Sequence, residues 1–265
     1  MTRKHYADTR WGQIHYVTAG DGPAVLLLHQ TPRSWDEYRD VIPAMATAFR
    51  VIAVDTLGFG SSDSPDVPWS IELFADGIED LIDALGLESC AIVGHHTGGV
   101  VAMEVAARRP DLVSALVLSG VPYVDADRRE AVKSRPSIDG VPLSDDGSHY
   151  QHLWEKRAPY YPAGHSDLLR RLVADGVRVG PRIEEGHLAV NAYHMEDRIS
   201  RVSPPTLVVC GELDEFSLPD VPRLLEALPE GTKSVTLPRV GVPTVDQDPQ
   251  QFSGVVADFL SLHLR

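Results

Sequence analysis

The stretch Ile92-Val93-Gly94-His95-His96-Thr97-Gly98-Gly99-Val100 decides the fold. An apolar run enters a pentapeptide with glycine at both ends, the small-residue frame G-x-S-x-G of a sharp strand-to-helix elbow, and His96 stands at the serine position. The flanking glycines let the backbone turn tightly and let the helix pack close to the strand. The frame is intact, and the hydroxyl it usually presents is missing.

Working outward, the segments 24–29, 51–55, 90–93, 115–119 and 206–210 are short continuous apolar runs bounded by Gly, Pro and Asp. Such runs predict strands buried on both faces, as in a parallel sheet covered by helices. Between them the spacing is helical: Ile71, Phe74, Ile78, Leu81, Ile82 and Leu85 follow Ser70 as a prospective N-cap. Phe252, Val255, Val256, Phe259 and Leu260 do the same after Asp248-Pro249. The alternation predicts an α/β fold, a mostly parallel doubly wound sheet flanked by helices, with ligands bound beyond the carboxyl ends of the strands. His29, Asp55, His96 and Asp214 all fall there. From about 125 to 198 the rhythm breaks into a charged segment rich in Tyr and His and interrupted by Pro136, Pro142, Pro159, Pro162 and Pro181. This predicts a helical lid, 125–198, inserted into a core formed by 1–124 and 199–265.

With 265 residues the chain is long enough to bury a sizeable core. Its formal charge of −14 argues against nucleic acid or an anionic membrane as partner. Cys90 and Cys210 form no Cys-x-x-Cys pair and sit in apolar runs, as reduced core residues do. The N-terminus lacks the apolar stretch of a secretion signal and no run reaches membrane-spanning length, so the expected location is cytoplasmic.

Several motifs in one order resemble the α/β-hydrolase fold family, in its capped branch of epoxide hydrolases, dehalogenases, esterases and carbon–carbon bond hydrolases. Leu28-His29-Gln30-Thr31-Pro32 is similar to that family's His-Gly-x-Pro loop, and 55–62 to its Asp-x-x-Gly-x-Gly-x-Ser turn. The elbow follows, then Gly211-Glu212-Leu213-Asp214 resembles the acid-bearing strand end and 240–252 the histidine loop. The resemblance implies a nucleophile at the elbow, a histidine that moves the proton and an acid that holds it. Only Asp214 is kept. His96 replaces the nucleophile, and Val242 stands in the loop where the histidine is expected.

Three readings of His96 follow. Its imidazole, longer than a serine side chain, reaches Asp214 through space left by Val242 and forms a relocated acid–base dyad; or it is itself a nucleophile; or the site is inert. The resemblance also marks the Thr31 and Thr97 backbone N–H groups as oxyanion donors, which survive any change of elbow side chain. Gln30, in place of the loop's glycine, is expected either to alter the loop's conformation or to turn its amide into the pocket. Arg33 is expected either to hold a substrate carboxylate or phenolate or to pair with Asp36, Glu37 or a lid acid. His29 and His95 are assigned to local hydrogen bonding, and no recognised metal-ligand spacing is present. Trp35, Trp154, Tyr150, Tyr160, Tyr161 and Tyr193 are expected to line an apolar pocket or hold the lid.

The sequence thus predicts a cofactor-independent enzyme acting on a small organic substrate. His96 and Asp214 are its catalytic pair; Thr31, Thr97, Gln30 and Arg33 bind substrate; no metal is involved. The reaction class stays open among lyase, isomerase or cyclase, and water-activating hydrolase. The competing class is an inactive homologue that binds a small molecule or a protein.

Overall fold

A computed structural model describes residues 2–264. The strands are β1 (Arg3–Thr9), β2 (Gly12–Ala19), β3 (Ala24–Leu28), β4 (Arg50–Val54), β5 (Cys90–His95), β6 (Val113–Ser119), β7 (Thr206–Gly211) and β8 (Lys233–Leu237). They form one sheet in the order β1-β2-β4-β3-β5-β6-β7-β8. β2 pairs antiparallel with β1 and β4, and from β4 to β8 every pairing is parallel.

Burial on both faces explains the apolar runs. Alternate residues of a strand point to opposite sides: Leu26, Ile52, Ile92 and Leu116 enter one core, while Leu27, Ala53, Val93 and Val117 enter the other. The helices are α1 (Ile42–Met45), α2 (Ile71–Ala84), α3 (Thr97–Arg108), α4 (Ala126–Val132), α5 (Ser148–Arg157), α6 (Ser166–Val179), α7 (Glu185–Ala192), α8 (Val221–Ala227), α9 (Thr244–Gln247) and α10 (Pro249–His263). α2 and α3 cover the first core, and Phe252, Val256 and Leu260 of α10 close the second. The expected caps are made: Ser70 Oγ accepts from the Leu73 N–H at 3.1 Å and Asp248 from the Gln251 N–H at 2.9 Å.

Three strands fall outside the apolar runs. β1 and β8 are edge strands with mostly exposed or half-exposed residues, so neither needs a continuous hydrophobic face. β2 carries Gln13, His15 and Thr18 among its apolar positions and gives no uninterrupted run. Between β6 and β7 the chain forms α4 to α7, and these helices approach the carboxyl end of the sheet. A Cβ placed on Gly186 of α7 would collide with Thr31 Oγ1 in the loop after β3. No helix of the described residues is long and apolar enough to cross a membrane.

Candidate active site

The elbow joins β5 to α3. His96 adopts φ 44° and ψ −111°, a left-handed conformation that non-glycine residues hold only when their surroundings enforce it. The enforcement is visible on both sides. A Cβ on Gly94 would collide with the Gly98 carbonyl, and one on Gly98 with the carbonyl of Leu28 on β3. The glycine frame therefore reflects backbone contact, and it aims the elbow side chain into the space beyond the sheet.

His96 Nε2 lies 3.4 Å from Asp214 Oδ2. Their orientation does not meet hydrogen-bond geometry, and both atoms are buried without a partner. The other carboxylate oxygen, Oδ1, is engaged, accepting from the Phe216 and Ser217 N–H groups at 3.1 Å each. Gly120, at φ 58°, closes the junction: a Cβ there would stand 3.0 Å from His96 Nε2 and 3.2 Å from Asp214 Oδ2. The imidazole keeps 17% of its side-chain surface exposed although Nε2 is sealed, so its opposite edge faces open space. Burial pushes its pKa down to about 4, assisted by the neighbouring His95 ring, while Asp214, Glu37 and the Val242 backbone act in the other direction. At neutral pH the ring is uncharged.

That open space is a cavity of about 1010 Å³. Gln30, Thr31, His96, Thr97 and Val242 form its floor, and residues of α4, α5 and α7 with their loops form its roof. The Thr97 N–H is the first of α3 and has no acceptor within the helix. The Thr31 N–H meets Thr97 Oγ1 at 3.4 Å, and the two threonine hydroxyls are 3.0 Å apart. Five of the six sequence-predicted site residues thus border one cavity or its buried wall: His96, Thr31, Thr97 and Gln30 on the floor, Asp214 behind His96.

Arg33 is the correction. It is fully buried and does not line the cavity. Its Nε donates to Asp175 on α6 at 2.9 Å, Nη1 to Asp246 on α9 at 2.6 Å, and Nη2 reaches Asp36 at 3.4 Å. Its guanidinium is consumed in joining three segments of the chain, the pairing alternative of the sequence reading. Gln30 also differs from expectation: its side-chain amide donates to Glu37 Oε1 at 2.7 Å and its backbone N–H to Oε2 at 2.9 Å. His95 Nδ1 joins the same carboxylate at 3.1 Å. Burial opposes the charge on Glu37, but His95, Arg33 and the Gln30 N–H outweigh it and hold its pKa at about 2. His29 bridges the Gln30 carbonyl and the Thr56 N–H, as a structural residue.

Of the six aromatic residues expected around the pocket, Tyr160 borders it, beside Phe216 at 5.1 Å between ring centres. Tyr193 instead donates from its hydroxyl to buried Glu104 at 2.5 Å. The sequence reading left two features unassigned. His187 of α7 lines the roof with Nε2 2.7 Å from Oδ2 of the buried Asp139, and Arg157 donates to both oxygens of that carboxylate. These residues lie 18 to 48 positions apart, so no local motif signals them. No group of three or more His, Cys, Asp or Glu side chains is placed to hold a metal ion among the described residues.

A family model described as the alpha/beta hydrolase fold matches residues 23–241. The soluble epoxide hydrolase of Corynebacterium sp. (strain C12) is 40% identical over 114 residues, 43% of this chain and 40% of that protein. Haloalkane dehalogenase 2 of Mycobacterium tuberculosis is 39% identical over 126 residues, 45% of this chain and 44% of its own. The chain spans less than half the length of these curated relatives. The crystal structure of the enol-lactonase from Burkholderia xenovorans LB400 superposes with a TM-score of 0.80 at 20% identity, over 97% of this chain and 100% of that one, a likeness of fold.

Proposed function

Because this chain belongs to the α/β-hydrolase fold family, we propose that it is a hydrolase of small organic molecules in which a His96–Asp214 pair activates water without a covalent serine or aspartate step. The observation that carries this reading is the elbow itself: a strained His96 backs onto Asp214 at 3.4 Å and opens on its other side to a cavity that Thr31 and Thr97 also line. A slight turn of the ring lets Nε2–H donate to Asp214 Oδ2, which fixes the tautomer and leaves the Nδ1 lone pair toward the cavity. Nδ1 takes a proton from water, and the water oxygen forms its bond to an electrophilic carbon of the substrate. The displaced electron pair collects on a substrate oxygen, where the Thr97 N–H at the helix N-terminus and the Thr31 N–H receive it. In an ester or lactone the pair then returns to carbon as the bond to the leaving oxygen breaks, and the imidazolium, stabilised by Asp214, gives that oxygen the proton; in an epoxide the ring C–O bond breaks in the attack and its oxyanion takes the proton. The helices between β6 and β7 act as the lid over this chemistry. The similarity to an epoxide hydrolase and a haloalkane dehalogenase supports hydrolysis over lyase or isomerase chemistry.

The test is His96→Ala assayed on aryl esters, lactones and epoxides. Turnover is expected to vanish while ligand binding survives; full activity in the variant overturns the proposal. One observation favours a second reading, a binding module: an imidazole with a pKa near 4 and no completed bond to Asp214 is a weak base. Under that reading no substrate of the panel is turned over by the unaltered chain.

A further inference from the structure

The chain carries a formal charge of −14, with 24 Lys and Arg against 38 Asp and Glu. The cavity reverses that balance. Arg128, Arg129, Lys133, Arg135, Lys156 and Arg157 all line it, and Glu184 is the one carboxylate on its wall among the described residues. Its oxygens accept from the Ile138, Asp139 and Gly140 N–H groups at 2.6–2.9 Å and make no ion pair among the described residues, so one carboxylate charge stands against six cations.

The six cations divide by partner. Arg129 is paired with Glu196, Lys133 with Glu130 and Arg157 with Asp139. Of the other three, Arg128 is only partly satisfied, and Lys156 and Arg135 have no carboxylate partner among the described residues. Arg128 reaches Asp220 through Nη1 at 3.2 Å, but its Nε–H is buried without an acceptor. Lys156 donates only to neutral oxygens, the Ser137 and Gly140 carbonyls at 2.9 Å each and Ser137 Oγ at 3.2 Å. Arg135 makes no side-chain hydrogen bond or ion pair among the described residues. Burial pushes the Arg128 pKa down and the like charge of Arg135 adds to that, against the opposing pull of Asp220 and Asp125. An anion placed among the three cations supplies the missing acceptor and relieves the repulsion, through charge-assisted hydrogen bonds of the strong kind. Apolar side chains also line the wall, with Val132, Ile138, Leu188, Val190, Phe216 and Val242.

We infer that the cavity takes an organic anion with an apolar body, its anionic group held by Arg128, Arg135 and Lys156 on the roof and its reacting group carried down to His96. The inference builds on the proposed hydrolysis by naming its substrate class, yet its binding readout needs no turnover.

Two fluorescent probes share one apolar body: 8-anilinonaphthalene-1-sulfonate is anionic and N-phenyl-1-naphthylamine is neutral. Titrated into the full chain, the sulfonate is expected to bind one-to-one and about ten-fold tighter than the amine, the worth of one charge-assisted contact. Arg135→Gln combined with Lys156→Gln is expected to weaken the sulfonate by about five-fold or more and to leave the amine unchanged, which also verifies that the variant is folded. Equal affinity for the two probes, no saturable sulfonate binding, or sulfonate affinity unaltered in the double variant overturns the inference. His96→Ala is expected to keep the sulfonate preference, so a failure of the hydrolytic reading registers in turnover and a failure of this one in binding.

Discussion

At His96 the fold imposes two costs at once, a left-handed backbone and a buried imidazole. The second is measurable. Its folded-state pKa of about 4 lies below the usual 6.5, so between those values the unfolded chain holds a proton that the folded chain rejects. Stability is therefore full above pH 6.5 and falls as the pH drops toward 4. In urea titrations across that window, the unaltered chain is expected to lose on the order of 3 kcal/mol more than His96→Gln, which lacks the group. Parallel pH profiles for the two chains contradict the assignment. The location of His96 was legible because glycine spacing, a local feature, sets the elbow. That Nε2 and Asp214 sit 3.4 Å apart without hydrogen-bond geometry was not, since it depends on Gly120 and on backbone brought from β6 and β7.

Arg33 sets the behaviour of whole elements. Its guanidinium links the loop after β3 to α6 through Asp175 and to α9 through Asp246, with both carboxylates buried. Removing one member of such a group leaves charge buried without a counterion. Arg33→Met is expected to lower the unfolding free energy by about 3–5 kcal/mol, read by chemical denaturation, and Arg33→Lys to recover little of it because an ammonium gathers its donors on one nitrogen and cannot span the three carboxylates that the planar fork reaches. A loss within about 0.5 kcal/mol, the range of an ordinary surface change, removes the tie from the account. The parallel strands β3 to β7 and the helices α2 and α10 were readable from apolar runs, caps and helical spacing. β1, β2 and β8 were not, because strands that leave one side to water or to polar neighbours carry no continuous run. Arg33 could not be separated from a substrate-binding arginine by sequence, for its partners lie 142 and 213 positions away.

Over the whole molecule, charge is segregated: an acidic chain encloses a basic cavity roof. The consequence is kinetic. An anion approaching from solution meets the repulsion of the whole surface first and the attraction of Arg128, Arg135 and Lys156 only once it is near the cavity roof. Salt screens exposed, distant charges more than recessed ones, and the screening length shrinks from about 30 Å at about 0.01 M to about 8 Å at about 0.15 M. Stopped-flow mixing with the sulfonate probe is accordingly expected to show encounter speeding up over that range as the outer repulsion fades, while residence shortens modestly as the contacts at the roof weaken. A protein of uniform surface charge moves its association rate in the direction set by its net sign and leaves dissociation nearly still. Here salt works on both steps, and the molecule's acidic exterior becomes a gate that opens with ionic strength.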